Sequence, residues 1–165
     1  MGEVLALEEL HRRLAAAREA GQVVAFANGH FDLLHVGHLR YLRAAREQGD
    51  LLVVGLNADG SVARLKGPGR PLVPADERAE LLAALEPVDF VVIFDGDSPA
   101  PLLEVLRPDI HCKGTDYGRP EQVPEYPVVE AYGGETRIVG DPKDHATRDL
   151  IATVKALPVP DGDGT

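Results

Sequence analysis

One cysteine, Cys112, occurs in 165 residues, so no intrachain disulfide can form and a reducing compartment is expected. No apolar run approaches the roughly 18 residues that a membrane span needs. The opening Met1-Gly2-Glu3-Val4 carries an early acid and no signal-peptide pattern. Basic residues are also scarce: 17 Lys and Arg stand against 27 Asp and Glu, for a formal charge of −10. That balance opposes general affinity for nucleic acid or anionic membrane, so any anion site must be a local cluster. The expectation is a cytoplasmic protein with small-molecule partners. Cys112 lies in Asp109-Ile110-His111-Cys112-Lys113, which reads as a buried strand end, where a thiol packs as a small hydrophobe.

The length fits one domain with a real core. Apolar residues at helical spacing (Leu7, Leu10, Leu14, Ala17) closed by Gly21 predict a peripheral helix within residues 1–21. Unbroken apolar runs predict strands at 22–27, 51–56, 89–94, 110–113 and 136–139, and such runs, lacking alternation, indicate a parallel sheet covered on both faces. Between them, helices are predicted at about 36–48, 76–86 (capped by Asp76), 98–106 (Ser98 at N-cap, Pro99 at N1), 128–132 and 147–157. Residues 57–74, rich in glycine and proline around Arg64, Lys66 and Arg70, read as one long functional loop. The sum is a doubly wound five-stranded parallel α/β domain over residues 1–157, with helices on both faces and a disordered tail at 158–165.

In such sheets ligands bind beyond the carboxyl ends of the strands. The chain has only four lysines, and three of them, Lys66, Lys113 and Lys143, fall in segments that would gather there, as a polyanion site requires. The most informative block is Asn28-Gly29-His30-Phe31-Asp32-Leu33-Leu34-His35-Val36-Gly37-His38, placed where a buried strand hands over to a helix. A helix N-terminus offers amide N–H groups and the positive end of the dipole to a phosphate. His35 and His38 project from one side of the first turn. Both can donate hydrogen bonds to phosphate oxygens, more strongly as charge builds during attack on the α-phosphorus of a nucleoside triphosphate. Gly37 admits the ligand close to the backbone. Asp32 either bonds loop amides or meets substrate hydroxyls; Lys66 and Arg70 read as anion clamps, and Arg78 as a surface ion-pair residue or a substrate contact. Asp116 and Tyr117 either form a wall for a base or close a turn. A zinc set of His30, His35, His38 and His111 matches no standard spacing, and Mg²⁺ carried in on the triphosphate is the metal expected.

These residues resemble the signature of the cytidylyltransferase-type nucleotidyltransferases, Rossmann-like enzymes that join a nucleoside monophosphate to a phosphorylated small molecule. Within that superfamily the sequence is most similar to the adenylyltransferase domain that activates D-glycero-β-D-manno-heptose 1-phosphate. The likeness covers residues 6–155 and includes Leu7-Glu8-Glu9-Leu10, Arg64-Leu65-Lys66-Gly67, Arg70-Pro71, Glu77-Arg78, Ala84-Leu85, Val88-Asp89 and Lys113-Gly114-x-Asp116-Tyr117. It implies catalysis by His35, His38 and Lys66. It implies nucleotide contacts from Asn28, Gly29, His30, Phe31, Gly37, Lys113, Gly114, Asp116, Tyr117, Thr147 and Arg148, acceptor contacts from Asp32, Arg70 and Arg78, and a homodimer. The chain departs from the family at His30, where cysteine is usual, and at Thr115, where glycine is. It departs again at Asp144-His145-Ala146-Thr147-Arg148-Asp149, where a serine-threonine pair normally opens the helix and where Arg148 or Lys143 replaces hydroxyl by charge. A glycerol-3-phosphate cytidylyltransferase-like enzyme, or a nucleotide-binding protein impaired in catalysis, are the alternative readings.

Overall fold

The computed structural model describes residues 1–142 and 144–159. Six strands run parallel in one sheet: β1 (Glu3–Val4), β2 (Val24–Gly29), β3 (Leu51–Asn57), β4 (Phe90–Phe94), β5 (Ile110–Lys113) and β6 (Glu135–Ile138). Their order is β1-β4-β3-β2-β5-β6. Five strands were expected; the sixth is β1, a two-residue edge strand that pairs Glu3 with Phe90 and Val4 with Val91. Two residues are too few to show a period, and both are exposed, which hid them in the sequence.

Helices α1 (Leu7–Glu19), α2 (Val36–Arg46), α3 (Asp59–Lys66), α4 (Ala75–Ala83), α5 (Ala100–Leu106), α6 (Tyr126–Ala131) and α7 (Thr147–Ala156) fill the connections. Alternate residues of each strand serve opposite faces. Ala25, Ala27, Leu52, Val54 and Leu56 pack on one side with Leu42 and Ala45 of α2 and Ala79 and Leu82 of α4. Val24, Phe26 and Val53 pack on the other with Leu10 and Leu14 of α1, Leu102, Leu103 and Leu106 of α5, and Val129 of α6. The first helix lays its apolar stripe on the sheet, with Leu10, Leu14 and Ala17 buried and most of its other residues exposed. No helix among the described residues is long and apolar enough to cross a membrane.

The long loop expected over 57–74 is half helix. α3 occupies Asp59–Lys66 and buries only Ser61 and Val62, which is too little apolar surface to show a period. It is held at its start by Asn57 Nδ2 donating to Ser61 Oγ (3.1 Å) and Ser61 Oγ donating to the Ala58 carbonyl (3.1 Å). It stops at Gly67, whose φ of +94° few other residues adopt cheaply. Two caps also shift. α4 begins one residue before Asp76, after Pro74, and Ser98 Oγ accepts from Ala100 N (3.2 Å) outside a helix whose N-cap is Pro99. Residues 158 and 159 are exposed, and the rest of the expected tail, 160–165, lies outside the described residues.

β2, β3 and β4 are laid down in one direction from the sheet centre, whereas β5 and β6 lie on the other side of β2. The order reverses between β2 and β5. The sequence block at 28–38 and the segment after Lys113 leave the carboxyl ends of these two neighbouring parallel strands, the side on which ligands bind in open sheets of this kind.

Candidate active site

The block leaves β2 at Gly29 and enters α2 at Val36. Phe31 turns the chain with φ +46°, a left-handed conformation that costs a phenylalanine about 1–3 kcal/mol and that tertiary packing must offset. That packing is visible: Phe31 is buried, and its ring meets the edge of His38 at 5.2 Å between centroids. His38 in turn stacks on His35 at 3.9 Å with 23° between planes. The backbone N–H of His35 donates to Nδ1 of His38 (3.4 Å), which leaves the His38 proton on Nε2. The two imidazoles thus form one preorganised unit at the mouth of α2. A Cβ on Gly37 would stand 3.0 Å from Cε1 and Nδ1 of His35, so no other residue fits there without displacing that ring.

His30 sits half-buried on the adjoining turn. Burial first, then the charges of Lys66, Arg78 and Arg70, drive its pKa down to about 4, with Asp32 opposing, so it is neutral at physiological pH. Of these cations, Lys66 and Arg70 reach the surface and can meet a polyphosphate, while Arg78 adds its charge from the interior. Lys66 is exposed at the last turn of α3. Arg64 takes no part, since its guanidinium is spent on Asp95 (2.8 Å) and Asp97 (2.9 Å).

Asp32 bonds amides, those of another loop. Its carboxylate, 1% exposed, accepts from Leu72 N (2.8 Å), Val73 N (3.0 Å) and Arg70 Nε (2.7 Å). Burial pushes its pKa up, but the Val73 and Leu72 amides and the Arg70 guanidinium together outweigh burial and hold it below the usual carboxylate value. A lowered folded pKa contributes stability that is present above the unfolded value and fades as pH falls through the folded one. Asp32→Asn is therefore expected to lose about 1–3 kcal/mol at pH 7. The gap to wild type should close as pH drops below the ordinary carboxylate value of 3.8. Urea denaturation at pH 7 and pH 3 checks this, and a gap unchanged in acid would show that the carboxylate charge carries none of the effect.

Arg78 of α4 is turned inward. It is fully buried, and its guanidinium donates to the carbonyls of Val73 (2.8 Å), His30 (2.6 Å) and Asn57 (3.0 Å) and to the Asp59 carboxylate (2.6 Å). The substrate contact and the surface ion pair expected of it give way to a knot that ties the motif loop to α3 and to the segment before α4. Sequence gave no sign of this, because burial of an arginine is exceptional.

Across the switch point, Lys113 ends β5, with Gly114 following. Burial pushes its pKa down, against Glu125 and Asp116, and its Nζ stands 5.7 Å over the Tyr117 ring. At the start of α7, Thr147 is half-buried, whereas Arg148 is 89% exposed beside Asp149 (3.8 Å) and is not brought to the imidazole pair. Lys143 lies outside the described residues. The residue of that segment that does arrive is His145, whose ring lies 6.2 Å from His35. His145 belongs to the segment whose departure from the family pattern was legible, but only the fold shows which of its residues turns inward. His111, weighed in the sequence only as a zinc ligand, instead meets Asn28 at 3.0 Å. Among the described residues, no group of three or more His, Cys, Asp or Glu side chains is arranged to hold a metal ion.

Comparison with known proteins agrees with this geometry. The family model described as Cytidylyltransferase-like matches residues 26–156. Bifunctional protein HldE of Syntrophotalea carbinolica is 50% identical over 147 residues, which is 89% of this chain and 30% of that protein. Bifunctional protein HldE of Pseudomonas paraeruginosa is 48% identical over 152 residues, 92% of this chain and 32% of that protein. The chain thus spans under a third of the length of these relatives. A solved structure, the lipopolysaccharide core biosynthesis protein from Thermoplasma volcanium, aligns with a TM-score of 0.61 at 26% identity, covering 74% of this chain and 100% of that one. With a family match running from the middle of β2 to the end of α7, and a paired imidazole where that strand gives way to a helix, the chain belongs to the Cytidylyltransferase-like family.

Proposed function

We propose that this domain transfers a nucleoside monophosphate from a nucleoside triphosphate, ATP foremost, to the phosphate of a sugar phosphate, with a heptose 1-phosphate as the favoured acceptor, and releases pyrophosphate. The observation that carries the reading is the stacked His35–His38 pair at the N-terminus of α2, set at the switch point and faced by the cations around His30. The motif resemblance to the heptose-phosphate adenylyltransferase domain, together with the likeness to bifunctional protein HldE and to a lipopolysaccharide core biosynthesis protein, supports a sugar acceptor.

In the proposed reaction an acceptor phosphate oxygen attacks the α-phosphorus in line, a new P–O bond forms, and the bond to the β-phosphate oxygen breaks. The nucleophile is already ionised, so no base is required; alignment and neutralisation of growing charge supply the rate. The Nε2–H of His38, with His35 beside it, donates to phosphate oxygens, and Lys66 and Arg70 offset charge on the departing pyrophosphate. Mg²⁺ belongs to the nucleotide substrate and needs few protein ligands. Lys113, Asp116 and Tyr117, one strand over, stand where the nucleoside of such a ligand extends.

The direct test mixes the protein with MgATP or MgCTP and a panel of phosphorylated acceptors and follows pyrophosphate. Release with ATP and heptose 1-phosphate is expected. Release only with CTP and glycerol 3-phosphate would replace base and acceptor, and no release from any pair beside tight nucleotide binding would leave a binding protein without turnover. Gly37→Ala is expected to lower kcat several-fold by pushing the His35 ring aside by a few tenths of an ångström, less than the roughly hundredfold loss that a full 1 Å misplacement carries. Its melting temperature should hold or rise, because alanine favours a helix over glycine. A drop in both together would mark a folding defect instead.

A further inference from the structure

Behind the motif, a second histidine chemistry is built into the sheet. His111 lies on β5, fully buried, in register with Phe26 of β2 and two residues before Lys113. Its Nε2 lies 3.0 Å from Oδ1 of Asn28, the first residue of the motif. Its Nδ1 has no hydrogen-bond partner. Of the two neutral tautomers, one puts the proton on Nε2 and leaves an orphaned lone pair at Nδ1. The other buries an orphaned N–H at Nδ1, which native proteins rarely do. The imidazole therefore donates from Nε2, and a carboxamide whose oxygen is taken can present only its Nδ2 amino group elsewhere. Among the described residues no protein acceptor takes that amino group, and Asn28 is half-buried one residue before the end of β2, beside the switch point.

We infer that His111 is a positioning residue: by holding Oδ1 of Asn28 it fixes the amide so that Nδ2–H₂ faces the nucleotide site as a donor to ligand oxygen. The inference rests on the nucleotide-binding reading above. Burial, with Lys113 adding to it, drives the His111 pKa down to about 3, so the imidazole stays neutral and its single proton stays assigned. His111 is flanked in register by Phe26 of β2, 5.9 Å away ring to ring, and by the buried Thr136 of β6, on the sheet face whose core is otherwise apolar, so a leucine can take the place of the imidazole there. Stability and ligand binding are thereby separable at this position.

The experiment measures MgATP binding by calorimetry for wild type, His111→Leu, His111→Gln, Asn28→Ala and the double variant His111→Leu with Asn28→Ala. His111→Leu should weaken Kd about five- to tenfold, the scale of one misdirected hydrogen bond, without lowering the melting temperature of the ligand-free protein. His111→Gln, whose amide N–H replaces Nε2–H, should recover most of that loss. In the Asn28→Ala background the leucine should have no further effect, whereas a general packing defect would persist there. Binding that His111→Leu leaves untouched, or a loss of equal size in both backgrounds, would overturn this inference alone. Wild-type protein that binds neither MgATP nor MgCTP would overturn the functional reading and this use of Asn28 with it. Imidazole ¹⁵N spectra of the ligand-free protein give an independent check, since an Nδ1–H tautomer at His111 would refute the assignment whatever the nucleotide result.

Discussion

His38→Ala is expected to reduce turnover at least about a hundredfold while the protein melts where wild type does. The scale is that of deleting one preorganised donor to charge that grows in the transition state. The geometry argues for so large a loss because His38 is held from three sides: by Phe31 across its edge, by His35 on its face, and by the His35 amide at Nδ1. A donor fixed in advance needs no reorganisation when charge moves, which is why its removal is not made good by water. The melting temperature is expected to hold because His38 is only partly buried and its hydrogen bond to the His35 amide is long, at 3.4 Å. Pyrophosphate release and a thermal melt on the same preparation decide the matter. A variant with near wild-type rate would take His38 out of the chemistry.

Arg78→Met should act in the opposite sense, on stability first. The substitution removes the donor to three carbonyls, those of Val73, His30 and Asn57, and strips Asp59 of its partner. Asp59 is half exposed and can turn to water, but three inward-facing carbonyls left without a donor, at about 1–3 kcal/mol each and in part rehydrated, bring the cost to about 3–5 kcal/mol. For a domain of this size that is a fall of roughly 10 °C in melting temperature. Arg78→Lys should rescue little, because one ammonium cannot reproduce a planar fork that reaches both the strand ends and the next helix. Calorimetric melts of the two variants give the answer, and a loss below about 1 kcal/mol would mean that water satisfies those carbonyls and the knot is not structural.

The two cases mark what was legible in the sequence. The parallel sheet was readable because β2, β3 and β4 are unbroken apolar runs, which only burial on both faces explains. The imidazole pair was readable because its spacing depends only on local helix geometry. Arg78 was not, because its charge predicts exposure, and its burial follows from four partners that the chain gathers from positions 30, 57, 59 and 73. Asp32 and His111 belong to the same class: Asp32 reaches amides 40 and 41 residues away, and His111 meets Asn28 at a separation of 83. α3 escaped for a different reason, having glycine at its second position and one fully buried apolar side chain.

The anchoring around Asp32 and Arg78 has a consequence for how far Lys66 can travel. Arg70, Leu72 and Val73 are all moored to Asp32 or Arg78, and α3 is fastened at its beginning through Asn57 and Ser61. Slack is left only in residues 67–69, where Gly67 and Gly69 both hold positive φ. Three extended residues reach about 10 Å at most, so the ammonium is on a short leash, long enough to meet an arriving anion and too short to follow a departing one into solvent.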